Sequence, residues 1–224
     1  MPEIVWPLAA ILAFDGALLF SLSWAYYSPR AARFRISPKT SMAVPAVKRL
    51  QNIALNSALS LVIVLGLLYL MAPTMLLGKP DSVLANLLRI LGILVLYDFA
   101  YYGLHRAMHL KALMRWVHGL HHRVHNPTAM ESFYLHPVEL LAGISLLMGC
   151  IWALGPVSDV VFLVVFAIHS TLNIVVHSGL TSGVWWMKPL DQLMVKHNLH
   201  HRGELDKNLA SLTPLPDILF GTAR

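Results

Sequence analysis

Imidazole side chains dominate the chemistry available to this chain. It holds twelve histidines, none of them in the first 104 residues. From there they fall into a pattern: His105-x3-His109, then His118-x2-His121-His122, then His197-x2-His200-His201, with single histidines at 125, 136, 169 and 177. Neutral imidazole is the commonest protein ligand for a transition metal. On an α-helix, residues four apart differ by about 40° and residues three apart by about 60°. His105 and His109 therefore share a face, as do His118, His121 and His122, and as do His197, His200 and His201. Eight histidines in three such groups are poorly explained as unrelated surface or hydrogen-bonded side chains. A structural zinc needs four ligands, so eight are enough for two ions, and the economical expectation is a dinuclear centre.

The remaining candidates carry both a ligand role and a bland one. His177 ends an apolar run and is expected to join the centre. His136, in His136-Pro137-Val138-Glu139, is either a ligand or a structural group at a helix start. His169 stands a little over two turns before His177 and is either a ligand or a membrane-buried structural side chain. His125 is expected to face solvent or a lipid headgroup. Asp98, seven residues before His105, either holds a ligand histidine through its second ring nitrogen or pairs with an arginine at the membrane edge. Two hydrolytic alternatives lack their motifs: there is no His-Glu-x-x-His for a zinc protease and no Gly-x-Ser-x-Gly for a serine hydrolase.

The elements that must position these groups are apolar. The chain is 57% hydrophobic and 12% charged, with a mean hydropathy of +0.62. A soluble domain carries about 25% charged residues, so the expected class is an all-α integral membrane protein. Residues 4–27, 53–77 and 83–104 read as three spans, and 53–77 is free of charge throughout, long enough to cross a hydrocarbon core of about 30 Å. Two shorter runs, 140–154 and 160–176, flank Gly155-Pro156 and read as a helical hairpin that need not cross fully. That makes four to five apolar helices beneath a helical, histidine-rich cap, in one domain over 1–224. Glu3 precedes the first apolar run and no basic segment leads it, so no cleaved signal is expected. Cys150 lies in an apolar run and reads as a small core residue.

Sidedness follows from the loops. Residues 28–50 hold Arg30, Arg33, Arg35, Lys39, Lys48 and Arg49 and no acid, the signature of a cytoplasmic loop. The 78–82 turn then lies outside, and the third span returns just before His105. The hairpin goes out and back, so 105–139 and 177–224 share the cytoplasmic face and all three histidine groups meet there. The net charge of +6 belongs to this membrane pattern, and no nucleic-acid motif accompanies it. Trp185 and Trp186 fit an interfacial anchor.

Taken together, Asp98-Phe99-x2-Tyr102-x2-His105-Arg106-x2-His109, Trp116-x-His118-x2-His121-His122 and His197-x2-His200-His201 resemble the fatty acid hydroxylase/sterol desaturase superfamily of membrane di-iron oxygenases. The resemblance runs from about residue 90 to the C-terminus. In detail it is similar to C-4 methylsterol oxidases: Asn126-Pro127-x-Ala129-x4-Tyr134-x-His136-Pro137-x-Glu139, His177-Ser178-Gly179, Asn208-x-Ala210-Ser211 and Asp217-x2-Phe220-Gly221-Thr222. Leu209 stands where that group has an aromatic residue, and Pro216 where it has tryptophan. The resemblance implies two iron ions, O2 as cosubstrate, and removal of hydrogen from an unactivated C–H bond of a lipid or sterol-like substrate, ending in hydroxylation or desaturation.

The electrons must come from elsewhere. No Cys-x2-Cys-His, dinucleotide glycine fingerprint or iron–sulfur cysteine set is present. A separate donor is expected, of the cytochrome b5, ferredoxin or reductase kind. The basic 28–50 loop would suit an acidic donor or anionic headgroups. A compact chain without a retrieval signal points to a bacterial inner membrane rather than endoplasmic reticulum. The competing class is a histidine-rich metal transporter or metal-binding protein, for which only Asp15 and His169 offer polar groups at mid-membrane. A haem-binding electron carrier would need histidine pairs on facing membrane helices.

Overall fold

The computed structural model describes residues 2–38, 44–77 and 81–224. Lys39 of the basic loop, and residues 78–80 of the turn expected outside, lie beyond the described residues. Eight α-helices order the described chain: α1 (Pro2–Tyr27), α2 (Ala46–Met75), α3 (Val83–Met108), α4 (Lys111–Trp116), α5 (Pro137–Ala153), α6 (Asp159–Val176), α7 (Lys188–His201) and α8 (Leu215–Leu219). Short 3₁₀ turns at Pro29–Phe34, His118–Arg123, Ala129–Phe133 and Trp185–Met187 join them.

Four helices are long and apolar enough to cross a membrane: Glu3–Tyr27, Ala46–Met75, Val83–Met108 and Asp159–Val176. The 17-residue α5 is shorter, about 26 Å at 1.5 Å per residue. This corrects one half of the expected hairpin: α6 reaches spanning length and α5 does not. The outward faces are apolar, with Phe20, Val62, Tyr69, Leu70 and Leu88 all more than half exposed. Such a surface is costly in water and favourable against lipid, which makes the chain an integral membrane protein.

Inside the bundle, α2 packs on α5, α1 on α6, and α3 lies against both members of the hairpin. Ile93 and Tyr97 from α3 meet Met148 and Ile151 from α5 and Val161, Phe162 and Val165 from α6, all with no exposure. At the end remote from the histidines, Leu77 N donates to Val157 O at 2.8 Å and Val157 N to Met75 O at 2.8 Å, tying the α5–α6 turn to the end of α2. Two helix starts there are capped by serine: Ser82 Oγ accepts from Ala85 N and Ser158 Oγ from Val161 N.

At the histidine end, two of the basic loop residues are structural. The Arg35 guanidinium donates to the carbonyls of Tyr26 at 2.6 Å and Ser28 at 2.7 Å, satisfying the C-terminus of α1. Arg49, at the start of α2, lies 3.2 Å from the buried Glu131 carboxylate. Asn56 reaches from α2 to the carbonyls of Phe133 and Leu135. These bonds lock the 124–136 segment over the bundle, and that segment carries the second histidine group into place. Cys150 is buried in the α5 core.

Candidate metal centre

Nine histidines converge in two adjoining clusters. One holds His105, His109, His118, His122 and His200, and the other His121, His177, His197 and His201; within each, the candidate ligand atoms lie within 4.8 Å of one another. His105 and His109 both enter the first cluster, whereas each of the two trios is divided between the clusters. His118–Arg123 is a 3₁₀ turn, not the α-helix that the spacing suggests. In it His118 and His122 aim at the five-membered cluster while His121 aims at the other. On α7, His197 and His201 share a face one turn apart, and His200 projects beside them into the first cluster. The shared-face expectation for each trio is therefore corrected: every trio bridges both clusters.

The orientation of the rings is set by their outer nitrogens. His105 Nδ1 donates to Leu209 O at 2.8 Å, His200 Nδ1 to Lys207 O at 2.8 Å, His121 Nδ1 to Tyr134 O at 3.0 Å, His177 Nδ1 to Asn173 O at 2.7 Å and His201 Nδ1 to Val124 O at 3.1 Å. A carbonyl only accepts, so the proton resides on Nδ1 and Nε2 presents a lone pair. His118 Nδ1 instead faces Glu139 Oε1 at 2.8 Å. This is the outer-shell arrangement that orients metal-ligating histidines and raises their basicity.

The inner nitrogens then face one another. In the first cluster, Nε2–Nε2 separations are 3.0 Å for His118–His122, 3.1 Å for His105–His118 and for His109–His200, and 3.2 Å for His109–His118. In the second, His121–His177 is 3.2 Å and His177–His197 2.9 Å. Two nitrogens bound to one ion at about 2.0–2.1 Å lie about 2.9–3.4 Å apart in octahedral or tetrahedral geometry. Lone pairs held at that spacing repel unless a cation sits between them. The donor set fits two first-row transition-metal ions.

Electrostatics agrees. Burial, then repulsion from neighbouring imidazoles, pulls His109 and His177 down to about 3. Burial likewise lowers His200 to about 4, against the carbonyls of Lys207 and Glu204 that pull the other way. His121, His122, His197 and His201 are lowered too, burial being the first cause. These seven rings therefore favour the neutral form, the state a metal requires.

The other candidates sit elsewhere. His136 is the N-cap of α5, where Nδ1 accepts from Val138 N at 3.2 Å, and it belongs to neither cluster. His169 lies within the bundle with Nε2 2.7 Å from Tyr97 Oη, also outside both clusters. Asp98 meets neither a ligand histidine nor an arginine. Its carboxylate accepts from the backbone of Ser211, Leu212 and Thr213 and from Thr213 Oγ1 at 2.5 Å. Asp217 does the same for Leu209 N and Ala210 N. Together the two acids fold the 208–213 segment so that the Leu209 carbonyl receives His105.

Glu139, in the His136-Pro137-x-Glu139 string, is an outer partner that spacing alone does not single out. Gly179, two residues beyond His177, has φ +68°, and a Cβ there would come within 2.6 Å of Pro127 O. The turn that releases the chain from His177 thus requires glycine.

The fatty acid hydroxylase family model matches residues 90–222, more than half of the chain and every histidine of both clusters. The chain belongs to the fatty acid hydroxylase family. Curated relatives of this family member include methylsterol monooxygenase 1 of Rattus norvegicus, 30% identical over 61% of this chain and 47% of the relative. A very-long-chain aldehyde decarbonylase of Oryza sativa subsp. indica is 32% identical over 60% of this chain and 52% of the relative. Methylsterol monooxygenase 2-2 of Arabidopsis thaliana is 28% identical over 60% and 52%. The chain spans about half the length of the curated relatives it matches. No solved structure matches. This family is known for iron-dependent oxygenases acting on lipid or sterol substrates in membranes.

A cavity of about 160 Å³ runs from the clusters into the bundle. His105, His121 and His177 line one end, and Leu12, Val64, Leu140, Ile144, Phe166 and Ile174 form apolar walls. Both clusters therefore open onto the same lipid-like space.

Proposed function

We propose that this chain is a non-haem di-iron oxygenase that uses O2 and external electrons to hydroxylate, or desaturate, a C–H bond of a lipid or sterol-like substrate. His105, His109, His118, His122 and His200 hold one iron; His121, His177, His197 and His201 hold the other. The observation that carries this is the convergence of oriented Nε2 lone pairs, at metal-ligand spacing, on the end of an apolar cavity. Bound iron would supply activation of O2 and removal of hydrogen from an unactivated carbon.

The protein's own part is positioning and exclusion of water. The cavity walls place an apolar chain or ring against His105, His121 and His177, and the buried 124–136 segment covers the centre. Proximity of this kind supplies much of the rate of a positioned reaction. Glu139 holds the His118 ring and takes part of the charge that the ligand proton would carry.

The cap faces the cytoplasm of a bacterial inner membrane in this proposal, supported by Arg30, Arg33, Arg35, Lys48 and Arg49 at the histidine end. A separate cytochrome b5-like, ferredoxin or reductase partner delivers electrons there.

The test is metal analysis and lipid mass spectrometry on the full chain in lipid nanodiscs with a reductant. About two irons per chain and an O2-dependent lipid product are expected. His121→Ala and His200→Ala should each remove most of the product and lower the iron content. Full activity in a metal-free preparation would overturn the proposal. Uptake of divalent metal into vesicles, with no oxidised lipid, would instead support the transporter class.

A further inference from the structure

Three aromatic rings stand in file along α3, each four residues from the next: Tyr97, Tyr101 and the cluster histidine His105. Ring centroids are 5.6 Å apart for Tyr97–Tyr101 and 5.5 Å for Tyr101–His105. Both are contact distances for aromatic pairs. At the far end the Tyr97 hydroxyl lies 2.7 Å from Nε2 of His169 on α6, with the two rings edge-to-face at 4.9 Å. Tyr97 has no exposure. The file therefore begins at the metal centre and ends on a phenol–imidazole hydrogen bond inside the bundle.

The two tyrosines differ in a way that matters to redox chemistry. A phenol that loses an electron becomes a strong acid, and it is readily oxidised only where a base takes its proton. Tyr97 is closed off from water, so that base must be a protein group, and the neutral His169 Nε2 is one. The Tyr101 hydroxyl bonds no described residue. Its ring can pass an electron along but has nowhere to leave a proton.

A hydrogen bond that only joined α3 to α6 would account for Tyr97 and His169. It does not account for Tyr101, whose ring carries the contact on to His105 and lines the apolar cavity beside it.

We propose that Tyr97 and His169 are a redox-active pair, reached through Tyr101, that protects the clustered histidines when the metal centre is oxidised with no substrate in the cavity. Tyr97 gives up one electron, which passes by way of Tyr101 to the oxidised centre at His105. The Tyr97 O–H bond breaks and its proton moves to His169 Nε2, where an N–H bond forms. The products are a neutral tyrosyl radical, an imidazolium and a centre reduced by one electron. The external donor then returns one electron to Tyr97, and His169 returns the proton. The inference rests on the proposed oxygenase chemistry for its oxidant alone.

The experiment has two arms, both on the full chain in lipid nanodiscs and read by high-field electron paramagnetic resonance. In the first, the metal-free protein is photolysed with ultraviolet light while frozen and is then annealed. Any of the seven tyrosines can be oxidised in this way, and Tyr102 is hydrogen-bonded as well as Tyr97. The Tyr97 share is therefore read from variants. Tyr97→Phe, which keeps the ring, should remove one hydrogen-bonded tyrosyl component. His169→Leu should convert that component to the form without a hydrogen bond, and Tyr101→Phe should leave it in place.

In the second arm the iron-loaded protein receives O2 and a reductant without added substrate. A Tyr97 radical is expected, lost in Tyr97→Phe and lowered in yield in Tyr101→Phe. Peptide mass spectrometry should find several-fold more oxidised His105 in both variants at unchanged metal content. If Tyr97→Phe removes no component from the metal-free spectrum, the pair is overturned whatever chemistry the enzyme performs. Consumption of O2 with no Tyr97 radical, and with equal oxidation of His105 in all three proteins, would overturn the relay. The expected metal-free result in a chain that never consumes O2 would support the pair and remove the oxygenase proposal.

Discussion

The five-imidazole and four-imidazole clusters draw on neighbouring residues yet are held differently. In the first, His118 leans on a carboxylate, Glu139, while His105 and His200 lean on carbonyls. In the second, every outer partner is a backbone carbonyl: Tyr134, Asn173 and Val124 for His121, His177 and His201. Each cluster also contains one half-buried member, His109 in the first and His197 in the second. Two ions bound here would be inequivalent. One would have a ligand ring backed by a carboxylate, the other rings framed by backbone carbonyls.

The largest effect that probes this contrast is global. His109 and His177 titrate near 3 and His200 near 4 in the fold, against about 6.5 in an unfolded chain. Their folded pKa values are depressed, so the unfolded state binds more protons in acid. The stability they contribute is present above about pH 6.5 and is lost as pH falls towards 4. The metal-free protein should therefore lose protection of the cap amides between those values, followed by hydrogen exchange. Because both clusters contain such residues, the two halves of the cap should loosen together; loosening of one alone would show that the clusters fold independently.

A smaller effect separates them. Glu139→Gln removes the only carboxylate bonded to a cluster histidine among the described residues. Metal affinity should fall about 10- to 100-fold at one site and change little at the other. Competition with a chelator should then release the two ions in distinct steps. A single unresolved step would mean that Glu139 serves both.

Smallest of all should be His136→Ala. It removes a side-chain cap from α5 and costs about 1 kcal/mol or less, with no loss of bound metal. Thermal unfolding together with metal analysis would detect the opposite result, a lost ion, which would bring His136 back as a ligand.

Much of the scaffold was legible because hydropathy and length are local properties. The expected runs 83–104 and 160–176 correspond to Val83–Met108 and Asp159–Val176. The run 53–77 corresponds to Ala46–Met75, whose first two turns carry Lys48, Arg49, Gln51 and Asn52 and so escape an apolar criterion. Eight of the nine clustering histidines were legible from type and spacing, and His177 from its place at the end of an apolar run. Their division between clusters was not, because it turns on a 3₁₀ conformation at His118–Arg123 that i, i+3 and i, i+4 arithmetic cannot distinguish from an α-helix. The partners of Asp98 were equally hidden, lying 113 to 115 residues away in a loop without periodicity.

The union of His109 with His200 has a temporal meaning as well. Their Nε2 atoms lie 3.1 Å apart although 91 residues separate them in the chain. Neither cluster is complete until α7 has been synthesised, because His200 closes one and His197 and His201 the other. Ordering so long a loop carries an entropic cost that is met only when its ends join. During biogenesis the membrane helices can insert and pair first, while the capacity to retain metal arises last. Metal retention would then mark a chain that has finished folding, and a ribosome-bound or truncated product would reach the membrane unarmed.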